Sequence, residues 1–177
     1  MSTIMFTKCR NVKTPSQAYS SPAGVDFYIP EYDTSFRKDL EAKNQSSCYS
    51  LDISPNCDEI TITIEPHGRI LIPAGIKVDI DDKNTCLLAA NKSGVASKKG
   101  LDHLAELIDA DYHGEIHINL VNTSSEPVSI KTGDKIIQFM HLPVIYPTLH
   151  EVNQEDFDKL KSDSERGEGG FGSSGNE

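Results

Sequence analysis

From about residue 60 onward the chain keeps a hydrophobic period of two. EITITIEP (Glu59 to Pro66) and GEIHINLVN (Gly114 to Asn122) alternate apolar and polar residues. A half-buried strand requires this, because successive side chains point to opposite faces. RILIPAGIKVDI, TCLLAA, PVSI and KIIQFMHLPVIY are further β-rich runs. Between the runs stand Pro66-His67-Gly68, Pro73-Ala74-Gly75, Asp81-Asp82-Lys83-Asn84 and Thr132-Gly133-Asp134, all of them turn chemistry. Short strands punctuated in this way predict an all-β sandwich or barrel, and no long helical pattern competes.

Two segments depart from that pattern. Residues 31–57, EYDTSFRKDLEAKNQSSCYSLDISPNC, are polar and weakly periodic, with at most a short helix around Phe36 to Ala42. They read as a surface arm inserted into a loop, which costs little because closure entropy grows slowly with loop length. Residues 151–170 are acidic, with Val152, Phe157 and Leu160 as their apolar anchors, too few for a core of their own. The expected organisation is a β domain over 1–150 carrying the polar insertion, then an acidic linker and glycine-rich tail over 151–177.

The 27 acidic and 17 basic side chains leave a net charge of -10, which argues against a nucleic-acid groove. A polyanionic ligand then depends on a few cations and a divalent metal gathered at one place. Cys9, Cys48, Cys57 and Cys86 form no C-x-x-C pair, so reduced thiols are expected rather than structural zinc or a disulfide scaffold. No apolar run has the length of a membrane span, and the N-terminus lacks a basic region followed by an apolar stretch. The expectation is a soluble, intracellular, cytoplasmic protein without nucleic-acid or membrane partners.

Polar chemistry gathers in five places. In ELIDADYHGEI (Glu106 to Ile116), Asp109 and Asp111 lie two apart and share one side of an extended backbone, with Tyr112 on the other unless a turn intervenes. Two carboxylates there suit either a site or a charged sheet edge. In AANKSGVASKKG (Ala89 to Gly100), Lys92, Ser93 and Gly94 offer a cation, a hydroxyl and an accessible amide, which suits a phosphate or an exposed basic turn. Asp26 interrupts the apolar run of SSPAGVDFYI, and GDKIIQF (Gly133 to Phe139) leads a turn into a strand. RGEGGFGSSG (Arg166 to Gly175) strings one aromatic ring between glycines; alone it is a disordered tail.

In this order AGVD, NKSGVA, LIDADYHG, GDKIIQF and RGEGGFGSSG resemble the five motifs of the trimeric dUTPase family, over about residues 20–30 and 60–175. The resemblance implies a β-clip, a distorted jelly-roll barrel, with a flexible glycine-rich C-terminal tail. It implies hydrolysis of dUTP to dUMP and pyrophosphate in a homotrimer whose sites are shared between subunits. Asp109 is then the carboxylate that activates water, and Tyr112 packs on the deoxyribose and excludes a 2′-hydroxyl. A backbone hairpin around Leu101 to Ile108 reads the uracil. Lys92, Ser93, Gly94 and Gln138 hold phosphates, with Asp26, Asp111 and Lys135 as supporting positions. Arg166, Phe171, Gly172, Ser173 and Ser174 form a lid in which Phe171 covers the base. Mg²⁺ is held mainly by substrate phosphates and waters, with no permanent protein cage.

Three positions depart from the family pattern. Lys92 and Lys135 stand where it has Arg, replacing a planar fork by a point charge. Glu106 stands where it has Gly. A related dCTP deaminase, or a nucleotide-binding regulator with weakened turnover, are the competing readings, and the 31–57 arm is a candidate contact for an unidentified partner.

Overall fold

A computed structural model describes residues 3–20, 22–56 and 59–160. Residues up to Ile145 form one compact unit, and a second begins at Tyr146 rather than after residue 150. Strands β1 (Ile4–Lys8), β2 (Val25–Tyr28), β3 (Tyr49–Ile53), β4 (Ile60–Ile64), β5 (Arg69–Ile80) and β6 (Thr85–Asn91) are followed by β7 (Leu101–His103), β8 (Leu107–Asp109), β9 (Glu115–Asn122), β10 (Val128–Lys131) and β11 (Lys135–Pro143). They make three sheets, ordered β1-β5-β9-β7, β10-β4-β3 and β2-β11-β6-β8, in which every pairing is antiparallel. The all-β class holds, but none of these sheets closes on itself as a barrel.

The period-two runs explain the core. Ile60, Ile62 and Ile64 of β4, Ile70 and Ile72 of β5, and Ile116, Ile118 and Leu120 of β9 are buried, while the residues between them reach the surface side. Each such side chain contributes about 1.5–3 kcal/mol on leaving water. Pro73-Ala74-Gly75 does not turn the chain as expected. It forms an irregularity inside β5, where the pairing register with β9 shifts between Pro73 and Lys77, and Gly75 takes the left-handed φ of 71°. Beyond it, Ile76–Ile80 pairs with β1, so one long strand serves two neighbours.

The 31–57 segment is not a passive surface arm. Helix α1 (Thr34–Lys43) starts on Asp33, whose carboxylate accepts from the Phe36 amide, and buries Phe36 and Leu40 completely. Its C-terminal Asn44 is also buried: Nδ2 donates to the carbonyls of Leu40 and Leu71, and Oδ1 accepts from the Leu71 amide at 2.8 Å. An amide side chain thus extends the β5 ladder and docks α1 on it. Polarity concealed this because only one i,i+4 pair faces inward. The segment continues into β3, which pairs along its length with β4.

The basic turn of the second motif is helix α2 (Ser93–Lys99), closed by Gly100 at a φ of 65°. In the second unit, α3 (Gln154–Leu160) carries Phe157 and Leu160, expected as anchors, on exposed positions. Cys9, Cys48 and Cys86 are free thiols, and no described helix is long and apolar enough to cross a membrane.

Candidate functional site

Two groups of motif residues assemble in different places. The first lies at the β8 edge, where strand pairing with β6 ends at Asp109 opposite Cys86. The Tyr112 amide then donates to the Asp109 carbonyl at 3.1 Å, closing a turn that carries Tyr112 back beside Asp109. A cleft of about 230 Å³ opens here, lined by Leu107, Ile108, Asp109 and Tyr112 together with residues of β5, β9 and β11, His117 among them. Asp111 stands exposed in the turn, outside that lining. The expected pairing of Asp109 with Asp111 on one side is therefore replaced by Asp109 with Tyr112, because the turn ends the extended backbone between them.

Gly114 makes the Tyr112 position available. A Cβ on residue 114 would lie 2.3 Å from the Tyr112 hydroxyl oxygen and 2.5 Å from the ring carbon bearing it. The hydroxyl donates to the Glu115 carbonyl at 2.9 Å, which holds the ring across the glycine. Behind it, the Glu115 carboxylate accepts from the Gly75 amide in the β5 irregularity and from Arg10 through both oxygens. Arg10 also reaches Asp39 of α1 at 2.9 Å. Burial alone would make Arg10 easier to deprotonate, but the bonds and charges of Glu115 and Asp39 outweigh it and hold its pKa above the ordinary value. None of Arg10, Asp39, Glu115 or His117 stands out in the sequence, since the bonds span 29 to 105 residues.

Asp39, Glu115 and His117 bring ligand atoms within 4.8 Å of one another, a spacing that suits a divalent ion. Both carboxylates are already engaged, by Arg10, Lys43 and the Gly75 amide. The cluster as it stands is a neutralised ion-pair network, so it is a poor resident metal centre.

The expected hairpin over 101–108 does not form: β7 pairs with β9 and β8 with β6, in different sheets, and polar side chains tie the segment between them. Asn91 Nδ2 donates to Asp102, so its Oδ1 accepts from His103 Nδ1, at 2.6 and 2.9 Å respectively. These bonds, with one from the His103 amide, hold the Asp102 carboxyl below its usual pKa, Asn91 contributing most. Glu106 turns out of the cleft lining and faces His103 Nε2 at 3.6 Å, while its carbonyl accepts from the Ala89 amide. The Glu106 side chain therefore points away from the cleft rather than into it.

The second group gathers on Asp26. In the β2-β11-β6 register Asp26 stands level with Gln138 and Ala90. Its buried carboxylate bonds to Lys92 Nζ through Oδ1 and faces Lys135 Nζ at 3.2 Å through Oδ2. The Asp26 carboxylate beside it raises the Lys135 pKa, although Oδ2 accepts no well-aligned hydrogen bond. Gln138 donates to the Asn91 carbonyl at 3.0 Å. Gly24 allows this packing, since a Cβ there would stand 2.7 Å from Gln138 Oε1. Ser93 and Gly94 are exposed in the first turn of α2, and nothing lies within 4 Å of a Cβ at Gly94. Arg166, Phe171, Gly172, Ser173 and Ser174 fall outside the described residues.

Fold and site define an all-β protein with a carboxylate–tyrosine cleft and a separate pair of lysines anchored on a buried aspartate, a combination suited to an anionic ligand. A family model described as dUTPase matches residues 50–175. The deoxyuridine 5′-triphosphate nucleotidohydrolase of Actinobacillus pleuropneumoniae serotype 3 is 36% identical over 156 residues, covering 86% of this chain and 90% of the relative. That of Shewanella piezotolerans is 34% identical over 170 residues, covering 93% and 99%. Among solved structures, a G164S mutant of the Staphylococcus bacteriophage 80alpha dUTPase with dUpNHpp superposes with a TM-score of 0.69 over 98% of this chain and 99% of that one, at 24% identity, which is a likeness of fold. The chain belongs to the dUTPase family.

Proposed function

We propose that the protein is a dUTP diphosphatase, hydrolysing dUTP to dUMP and pyrophosphate by attack of one water at the α-phosphorus. Family membership carries this reading. The placement of Asp109 and Tyr112 on one cleft supports the residue roles. Asp109, exposed at a strand end, is the general base that takes a proton from the water as it attacks. Tyr112, held over Gly114, lies against the deoxyribose and leaves no room for a 2′-hydroxyl. The 101–108 segment reads the uracil through backbone groups. It rejects cytosine because a donor would meet a donor.

Lys92, Ser93, Gly94 and Gln138 bind the phosphates, with Asp26 and Lys135 setting the lysine positions. Bound Mg²⁺, coordinated by phosphate oxygens and waters, supplies charge neutralisation for the leaving pyrophosphate. Arg166, Phe171, Gly172, Ser173 and Ser174, outside the described residues, are the remaining substrate-binding positions, on a fold of the distorted jelly-roll kind.

The strand register supports a site shared between copies. Asp109 lies three strands away from Asp26 and four residues further along β6. At about 4.8 Å per strand and 3.3 Å per residue, the two stand on the order of 20 Å apart in one chain. One triphosphate does not bridge that distance, whereas a homotrimer that sets Asp109 of one copy against Lys92 of the next does. The test is chromatography of products from dUTP, dCTP, dTTP and UTP with Mg²⁺. Formation of dUMP and pyrophosphate from dUTP alone is expected; deaminated products, or binding without turnover, overturn the reading.

A further inference from the structure

The Glu115 carbonyl accepts two side-chain bonds: the Tyr112 hydroxyl at 2.9 Å and His117 Nδ1 at 2.8 Å. A carbonyl cannot donate, so the His117 proton sits on Nδ1. The other ring nitrogen, Nε2, faces Asp39 Oδ2 at 3.4 Å. His117 also lines the cleft beside Asp109 and Tyr112, and its side chain is 16% exposed. The ring is thus clamped between the carbonyl that holds Tyr112 and a carboxylate of α1.

We infer that His117 is a positioning residue for Tyr112 and a determinant of sugar discrimination, and that Asp39 links the α1 segment to this task. The inference rests on the proposed role of Tyr112 at the deoxyribose. With both lone pairs of the Glu115 carbonyl engaged, the peptide plane is fixed, and with it the anchor of the tyrosine ring. Arg10 and the Gly75 amide fix the carboxylate of the same residue from the far side. A ring held on one carbonyl swings outward when that carbonyl rotates, and the space that excludes a 2′-hydroxyl widens. Helix α1, which reads as an accessory arm in the sequence, thereby braces the wall of the cleft.

The test compares full-length wild type, His117→Ala, His117→Asn and Asp39→Asn. Kinetics are measured on dUTP and UTP, thermal unfolding is followed in parallel, and long-range ¹H–¹⁵N spectra of the histidine rings are recorded on the wild type. An asparagine amide nitrogen replaces Nδ1 as donor to the Glu115 carbonyl. In His117→Ala the preference for dUTP over UTP in kcat/KM falls about five- to tenfold, the worth of one net hydrogen bond. The change is carried by a rise in kcat/KM for UTP, read mainly in its KM, with kcat for dUTP nearly unchanged. His117→Asn restores most of the preference, and Asp39→Asn shows a smaller loss of the same sign.

The spectra show a proton on Nδ1, facing the Glu115 carbonyl. Unchanged discrimination in His117→Ala, failure of Asn to restore it, or a ring protonated on Nε2 alone overturns the inference. Absence of dUTP turnover in the wild type instead overturns the proposed function, and the ring spectra still test the clamp.

Discussion

The Asp26 cluster predicts an asymmetry that can be measured as stability. Its side chains differ in access to water: Asp26 is 3% exposed, Lys92 21% and Lys135 49%. Removing the carboxylate leaves two cations able to rehydrate, whereas removing the cations strands an anion that cannot. Asp26→Asn keeps the shape and a neutral acceptor, and costs about 1 kcal/mol, the difference between a charge-assisted and an ordinary hydrogen bond. Lys92→Met keeps an apolar stem but leaves the buried carboxylate short of its closer partner. It costs about 3 kcal/mol, toward the lower end for a broken buried pair because Lys135 remains. Lys135→Met removes a half-exposed partner screened by solvent and costs the least of the three. Urea unfolding at fixed protein concentration, with an unchanged m-value, gives the three numbers. Equal losses for the two lysine variants, or a larger loss for Asp26→Asn than for Lys92→Met, refutes the reasoning.

Gly114→Ala pushes the Tyr112 ring out of place but costs little stability, because the ring is an exposed side chain free to swing away. A fall in dUTP kcat/KM of about tenfold or more is expected, with the unfolding midpoint nearly unchanged. Asn44→Ala leaves the amide and carbonyl of Leu71 unpaired beneath α1. It costs about 2–4 kcal/mol in urea unfolding. Burial raises the Asp39 pKa, but hydrogen bonds from Lys43 and His117 outweigh it, and the carboxyl titrates below its ordinary value. Its stabilisation is complete above about pH 4 and is lost as pH falls through the lowered folded value. Asp39→Asn therefore flattens the acid limb of stability against pH, and a limb identical to the wild type's counts against the network.

How much of this was legible in the sequence depends on the range of the interaction. Ile60, Ile62 and Ile64 were legible because a strand writes its burial at a spacing of two. A short helix around Phe36 to Ala42 was legible, but its docking was hidden because it rests on Phe36, Leu40 and one amide, too narrow a face to outweigh a polar surrounding. Pro73-Ala74-Gly75 misled for the opposite reason: residues that turn a free chain also fit a strand irregularity once a carboxylate from β9 fills it. The Arg10–Glu115–Asp39 network, and His117 with it, had no local signal at all. Motif spacing carried Asp109 and Tyr112, but their meeting on one cleft depends on the turn between them.

The lysines at positions 92 and 135 look, one residue at a time, like two losses of a bidentate fork. Together they are less of a loss. Strand register brings both ammonium groups to one buried carboxylate, Lys92 on one oxygen and Lys135 on the other, so each point charge has its position set by Asp26. A single guanidinium offers two parallel donors from one plane, whereas this pair offers two cations whose spacing is set by the carboxylate between them. If the lysines meet the phosphates as proposed, they do so from positions set by Asp26. Replacing the aspartate here should therefore weaken phosphate binding through both lysines at once. Double-mutant cycles between Asp26 and each lysine, read in substrate KM, should show coupling in both cases, larger for the less exposed Lys92. Additive effects would mean that the lysines find the phosphates without it.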